Sequence, residues 1–443
     1  MNKRKAQLLV ADIGSTITKL SAFSELGTGH PRFLGQGLSL TSIEAGDVVV
    51  GLELARTQLA DRHGVESNGA ELMASSSAAG GLRMTVHGLT QDMTLKAARE
   101  ASLGAGAIIA FTTAGKIQKD DLEQIEKINP NIILLAGGVD YGDRETVLHN
   151  AEALASSGIK APVIYAGNIA ARGEAQKTLE RAGINVFGVD NVYPRIDELN
   201  IVPVRRVIQN VFSRHIITAP GMDKVKGMIT GEVMPTPAAV LTSAELLSGV
   251  IGDLVVVDVG GATSDVHSVS EGSVKYAKMM IGPEPRSKRT VEGDLGIYCN
   301  ATHIIQAAGG ALDPIQNVAA LPQEPDSIEA AIALARWAVD LSVWRHAGEI
   351  RIAYGAYGRQ EVVEGRDLTC VKTIIGTGGA LTRLGAGRKI LGALRKDPSG
   401  RKLLPPAGTP ILLDSHYIMA AAGVLSQRFA DDALHLLRQS IEV

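Results

Sequence analysis

The 443-residue sequence predicts an α/β protein of two lobes with a doubly wound βαβ subdomain inserted into the first. Three observations carry this expectation. Asp12-Ile13-Gly14-Ser15-Thr16-Ile17-Thr18-Lys19 and Asp258-Val259-Gly260-Gly261-Ala262-Thr263-Ser264-Asp265 each follow a buried-looking apolar run, at 8–11 and 254–257. Between them, from about 90 to 215, apolar runs alternate regularly with polar helical stretches. Later, Gly376-Thr377-Gly378-Gly379-Ala380 directly follows a strand-like run at 371–375.

A strand ending in Asp, then a turn of small residues and hydroxyls, makes a phosphate-binding hairpin. Backbone N–H groups close on phosphate oxygens, and the carboxylate holds a hydrated Mg²⁺. One such hairpin also reads as a tight turn capped by its Asp; two, far apart in one chain, read as a clamp for Mg·ATP. Nucleotide hydrolysis without a covalent intermediate is mostly positioning and charge neutralisation. Asp12 and Asp258 are therefore the candidate metal poles and catalytic carboxylates. Gly14, Ser15 and Thr16 offer N–H groups and hydroxyls on one side, and Gly260, Gly261 and Ala262 offer N–H groups on the other. Lys19 can supply a cation to the β- or γ-phosphate, and Thr263 and Asp265 can orient the attacking water. The other standard phosphate loop, GxxxxGK[ST], is absent, because Gly115-Lys116 is followed by Ile117. Gly376, Gly378, Gly379 and Ala380 form a bare turn on which the adenosine can rest, though strand-to-helix glycine turns are common in any case.

Taken in order, residues 6–40 read as strand, turn and strand, with Ser21-Ala22-Phe23 on the second strand. Residues 44–63 carry Val48, Leu52, Leu54, Ala55 and Leu59 at helical spacing. The stretch 72–89 is rich in small residues and then strand-like at 82–86, which closes a first lobe at 1–90. In the subdomain at 91–218, apolar runs at 107–111, 132–136, 163–166 and 186–189 alternate with helical stretches at 120–127, 144–155 and 170–182. Such alternation implies a parallel sheet. Ala136-Gly137-Gly138-Val139-Asp140 ends one run, at the edge where doubly wound sheets take ligands; a plain βα turn is the other reading. Residues 219–251 read as a linker and connecting helix, the helix at 238–247. The second lobe, 252–443, has a helical middle at 326–349 and a final helix at 417–428 whose Ala and Gly suit close packing. Arg286, Lys288, Arg289, Glu292 and Asp294 read as a charged loop, either solvated or closing on the nucleotide.

The composition narrows the function class. A hydrophobic share of 45% and a charged share of 21% describe an ordinary globular chain. The net charge of −3 gives no reason to expect nucleic acid or an anionic membrane as a partner. No apolar run reaches the ~18 residues of a membrane span. Asn2-Lys3-Arg4-Lys5 imitates the start of a signal peptide, but Asp12 interrupts the apolar stretch, so a cytoplasmic protein is expected. Cys299 and Cys370, with no CxxC, cannot form a metal quartet and read as reduced thiols. Asp265-x-His267-x-x-Ser270 narrowly misses a cobalamin-ligating pattern, and His267 reads as structural.

The two hairpins and the glycine turn together resemble the actin, sugar-kinase and Hsp70-type ATPase superfamily, over residues 6–90 and 235–430. In the second hairpin, Asp258, two glycines, Thr263 and Asp265 fall at the superfamily's offsets; in the first, Lys19 lies seven residues after Asp12, as in actin-like members. The resemblance implies two ribonuclease-H-like lobes closing on Mg·ATP. Met234-Pro235-Thr236-Pro237-Ala238-Ala239 looks like the Hsp70 connecting helix, but Met234 stands where Hsp70 has a glutamate and the nearest acid is Glu232. Nucleotide binding, or slow Mg-dependent hydrolysis, is the expectation that follows.

A closer resemblance spans nearly the whole chain. Ala74-Ser75-Ser76-Ser77-Ala78-Ala79-Gly80-Gly81-Leu82, Ile132-Ile133-Leu134-Leu135-Ala136-Gly137-Gly138-Val139-Asp140 and Thr290-Val291-Glu292-Gly293-Asp294-Leu295-Gly296 look like the accessory protein of coenzyme-B12-dependent glutamate mutase, the glutamate mutase L family. This resemblance implies a chaperone-like reactivating factor: ATP-driven release of damaged cobalamin from an adenosylcobalamin-dependent mutase or aminomutase, whose subunits are the expected partners. A small-molecule kinase and a nucleotide-switched scaffold are the alternatives. An iron–sulfur activator of a 2-hydroxyacyl-CoA dehydratase shares the nucleotide fold, but Cys299 and Cys370 lie farther apart than its cysteines do. The identity of the mutase and the oligomeric state, a homo-oligomer included, stay open at this point.

Overall fold

The computed structural model describes residues 4–42, 46–78, 82–215, 221–312, 315, 317–355 and 358–442. It divides into two compact units. One comprises Met1–Ala79, Ile217–Ile281 and Arg286–Val443; the other comprises Gly80–Ile216 with Gly282–Pro285.

The first unit holds two five-stranded sheets with one topology. In the first lobe the order is Met234–Pro235, Glu71–Ser76, Leu8–Ile13, Ile17–Ser24, Arg32–Leu40. In the second it is Ile411–Leu413, Thr373–Thr377, Leu254–Val259, Ser264–Val269, Ser287–Glu292. Each is a three-stranded antiparallel meander extended on one side by two parallel strands. Leu8–Ile13 is buried at every position and Leu254–Val259 at all but Asp258, as central strands covered on both faces must be. The repeated meander-plus-two-parallel pattern is the two-lobed α/β architecture expected of an actin-like ATPase.

Thr236–Ile251 and Met419–Leu425 pack between the two sheets. Their small residues permit a close crossing: a Cβ added to Gly423 would lie 1.9 Å from the Ala239 carbonyl oxygen. Leu8, Val10 and Met73 of the first sheet and Leu254, Val256 and Ile375 of the second share one apolar core with these helices. The core positions the ends of both central strands, and so both Asp residues, on one side of the unit.

The second unit is a doubly wound sheet of five parallel strands. The order is Val186–Gly188, Val163–Tyr165, Ile132–Leu135, Leu82–Gly88, Ala107–Ala114. Counted along the chain this is 2-1-3-4-5 read from the far edge, the flavodoxin-like order. Helices Lys119–Ile128, Glu145–Ser156 and Ile169–Arg181 match the expected stretches within two residues.

Several boundaries differ from expectation. The subdomain begins near 80, not 91, because Leu82–Gly88 pairs with both Ala107–Ala114 and Ile132–Leu135. The small-residue segment before it could not reveal which sheet that strand joins; its Ala79, Gly80 and Gly81 lie outside the described residues. The first helix starts at Val48, where the Asp47 side chain accepts from the Val49 N–H, and residues 44 and 45 also lie outside the described residues. Residues 219–251 are not a bare linker: they hold the helix Met222–Met228, the strand Met234–Pro235 and the helix Thr236–Ile251, with Pro220 outside the described residues. The charged segment after the second hairpin is not a loop. Ser287–Glu292 is the third strand of the meander, which buries Arg289. Among the described residues no helix is long and apolar enough to cross a membrane.

Candidate nucleotide and metal site

The two hairpins are built alike. The Gly14 N–H donates to the Ile17 carbonyl at 3.0 Å, and the Gly260 N–H donates to the Thr263 carbonyl at 3.0 Å. Both glycine N–H groups are therefore spent closing their own turns. The donors left for a ligand are the N–H groups of Ser15, Thr16, Gly261 and Ala262, which among the described residues meet no acceptor. Such successive unpaired N–H groups form an anion-binding nest. The hairpins meet at their tips: a Cβ added to Gly261 would lie 2.7 Å from Thr16 Oγ1.

Each turn is braced from behind through its carbonyls. In the first, Gly14 accepts from Thr41 Oγ1 and Thr16 accepts from the Thr41 N–H. Ser15 is turned to its own lobe, its hydroxyl on the Ser77 carbonyl at 2.7 Å. In the second, Gly260 accepts from the Ile297 N–H, Gly261 from the N–H groups of Tyr298 and Cys299, and Ala262 from Asn300 Nδ2. Carbonyls tied back leave the opposing N–H groups facing the site. Sequence reading missed Thr41 and Asn300; only the Thr290–Gly296 motif, just before Asn300, hinted at this segment.

The two Asp residues sit in opposite electrostatic settings. Asp12 stands across the ladder from Lys19, whose Nζ is 2.6 Å from Asp12 Oδ2. Asp12 Oδ1 accepts from Ser75 Oγ at 2.9 Å and Thr236 Oγ1 at 2.6 Å. Burial opposes the charge on Lys19, but Asp12, Tyr417 and Asp258 outweigh it and hold the ammonium well above its ordinary pKa. Asp258 stands across from Asp265, a like charge. No donor among the described residues reaches Asp258, and its pKa is pushed up to about 7 by burial first and then by Asp265, with Lys19 opposing.

Asp265 has its own partner. Arg289, 2% exposed, donates from Nε to Asp265 Oδ1 at 2.7 Å, and Thr263 Oγ1 donates to Oδ2 at 3.0 Å. Thr263 and Asp265 are thus bonded to each other, with Asp265 buried. Glu292 and Asp294 share Arg345, at 2.7 and 2.9 Å.

The glycine turn divides in two. Gly378, at φ +89°, packs on the second Asp: an added Cβ would lie 2.4 Å from the Val259 carbonyl oxygen and 2.7 Å from Asp258 Oδ1. Gly379 has open space apart from the Tyr417 ring edge at 4.0 Å. Gly376 faces away, since its Cβ would strike Leu391 and Leu413, and Ala380 is buried in the lobe's core. Tyr417 and Asp414 are further residues the sequence reading missed. Asp414 follows the strand Ile411–Leu413, so an Asp at a third strand end was the available signal.

Met234 lies in the core, where its sulfur accepts from Gln427 Nε2 at 3.5 Å. From this segment it is the hydroxyl of Thr236 that reaches Asp12, and Glu232 is exposed. His267 is buried and kept neutral, its pKa lowered to about 3 by burial. Among the described residues no group of three or more His, Cys, Asp or Glu could hold a metal ion.

A family model described as MutL protein matches residues 8–441. Protein MutL of Clostridium tetanomorphum is 36% identical over 457 positions, covering 97% of this chain and 98% of its own. Among solved structures, nucleotide-free acetone carboxylase is 12% identical with a TM-score of 0.39, over 96% of this chain and 70% of that one. A nucleotide-free diol dehydratase-reactivating factor is 10% identical with a TM-score of 0.34, over 96% of this chain and 100% of that one. The family match and the whole-length identity establish that this chain belongs to the MutL protein family.

Proposed function

We propose that the chain binds Mg·ATP between its hairpins and serves as a chaperone-like accessory protein of an adenosylcobalamin-dependent mutase, from which it releases damaged cobalamin. One observation carries the nucleotide reading: two like-built hairpins meet at their tips, each with an Asp at its strand end and two unused N–H groups in its turn. Membership in the MutL protein family, and the resemblance of its motifs to the glutamate mutase accessory protein, support the choice of target.

The donor set fits a hydrated divalent ion carried in by phosphates. Asp258 is a carboxylate short of positive charge that no donor among the described residues reaches, Asp12 is partly occupied, and a hydrated ion would take its other positions from water and phosphate oxygens. When bound, Mg²⁺ would neutralise charge developing on the phosphates. The chain's own residues do the rest. Ser15, Thr16, Gly261 and Ala262 take the phosphate oxygens, Gly379 admits the adenosine, and Thr263, oriented by Asp265, bonds the attacking water. With Met234 where a carboxylate would speed turnover, hydrolysis is slow and times the opening of the lobes.

The test is reactivation. Inactivated mutase given this chain, Mg·ATP and fresh coenzyme should recover activity, and a non-hydrolysable ATP analogue should not support recovery. Failure with every adenosylcobalamin mutase of the host would overturn the target while leaving the nucleotide site to be judged by binding.

A further inference from the structure

The clamp reading, on which this inference rests, assigns Lys19 to a phosphate, yet Lys19 is already bound. Its side chain is 9% exposed, its ammonium 2.6 Å from Asp12 Oδ2. On another side Nζ lies 3.7 Å from the centroid of the Tyr417 ring, a cation–π contact. A carboxylate offers about four acceptor sites. Ser75, Thr236 and Lys19 occupy three on Asp12, so an ion or its water finds little left.

Tyr417 is held in place at some cost. Its backbone is left-handed, with φ 56°, uncommon for a bulky residue. Such a conformation persists only where the surroundings enforce it, and here they do. The Tyr417 N–H donates to the Asp414 carbonyl at 2.8 Å, and its own carbonyl accepts from Gln36 Nε2 at 3.1 Å. The fully buried Asp414 carboxylate takes Thr377 Oγ1, the Ile418 and Met419 N–H groups and Ser440 Oγ. The loop delivers a ring from the second lobe onto a lysine of the first.

The second hairpin supplies the contrast. In the cross-strand place that Lys19 fills it has Asp265, whose cation is Arg289, so Asp258 gains no counter-ion from its own hairpin.

We propose that Lys19 is the built-in cation of the site: in the nucleotide-free chain its ammonium occupies Asp12 in place of the divalent ion, held there by Tyr417, so metal and lysine compete for Asp12. The ion then enters well only together with a phosphate, which draws Lys19 away from the carboxylate. Lys19 is the gating residue and Tyr417 a positioning residue acting through it.

The test uses Mn²⁺ alone, titrated into the full chain without nucleotide and read by electron paramagnetic resonance. Lys19→Met and Lys19→Gln should each bind Mn²⁺ about tenfold more tightly than the natural chain, as expected for removing one nearby like charge. Lys19→Arg, which keeps the cation, should stay at the natural affinity, and adding Asp12→Asn to Lys19→Met should erase the gain. Tyr417→Leu should give a smaller gain. Unchanged Mn²⁺ affinity in a folded Lys19→Met or Lys19→Gln variant would overturn the proposal. A separate titration with a fluorescent ATP analogue judges the clamp: an Asp258→Asn chain that keeps full Mg·nucleotide affinity would sink the clamp reading, whatever the Mn²⁺ result.

Discussion

The hairpin at Gly14–Ile17 and the hairpin at Gly260–Thr263 share a turn bond of equal length, a strand-end Asp and a cross-strand partner seven residues on. They differ in the charge of that partner. Lys19 neutralises Asp12 within its own hairpin, whereas Asp265 crowds Asp258 and spends Arg289 on itself. One backbone pattern thus yields a saturated carboxylate and an unsatisfied one. The turns, which are alike, set the direction of the free N–H groups; the cross-strand partners, which are not, set the demand for a cation.

The comparison is broken most directly at the two carboxylates. Asp12→Ala leaves Lys19 buried without its partner and should cost about 3–5 kcal/mol of stability in a urea titration. Asp258→Ala should leave stability unchanged or raised, because it removes a carboxylate that no donor reaches, while Mg·nucleotide affinity falls roughly 100-fold, about 2.7 kcal/mol. Equal stability losses at the two positions would contradict the electrostatic asymmetry.

Two glycines give the next contrast. Gly378→Ala combines a left-handed backbone with a Cβ 2.4 Å from the Val259 carbonyl oxygen, and should cost about 2–3 kcal/mol. Gly261→Ala meets Thr16 at Oγ1, Cβ and Cγ2, a stiff β-branched side chain, but its backbone is ordinary, so its cost should be about 1–2 kcal/mol and the smaller of the two. Calorimetric melting of both variants tests the ranking.

Asp258 also predicts a pH dependence. Its folded pKa of about 7 exceeds the unfolded value of 3.8, so between these values the folded state keeps a proton that the unfolded chain has lost. Its contribution to stability is therefore full below about 4, falls as pH rises, and is lost above about 7. Asp258→Asn should flatten that part of a Tm-against-pH curve.

The smallest effects concern the braces. Asn300→Ala removes donors to the Ala262 and Gly293 carbonyls, and Thr41→Val removes one to Gly14; each should cost about 1 kcal/mol in a urea titration. Nucleotide affinity should weaken in both, since a loosened carbonyl misaims the N–H groups opposite.

Much of this was readable along the chain. Three helices of the doubly wound unit fell within two residues of expectation because apolar periodicity is a local signal, while Lys96–Gly104 and Ile201–His215 were not read. Asp12, Asp258 and the turn residues were found because strand, Asp and small-residue turn are contiguous. The strand Leu82–Gly88 was assigned to the wrong lobe because strand partners are chosen across many residues of chain, and its own residues suit either sheet. Arg289 was read as part of a loop because a charged run looks solvated until its acceptor, Asp265 on the neighbouring strand, is in view.

The sequence by itself determined the two hairpins, the doubly wound alternation between them and the MutL kinship, since each is written in neighbouring residues. Only the tertiary structure decided which carboxylate is free. Asp12 is saturated by Ser75, Thr236 and Lys19, from three separate segments, and Lys19 is held by Tyr417 from the other lobe. Electrostatic setting depends on distance in space and on exclusion of water. Neither is fixed until the core shared by the two sheets brings the strand ends together.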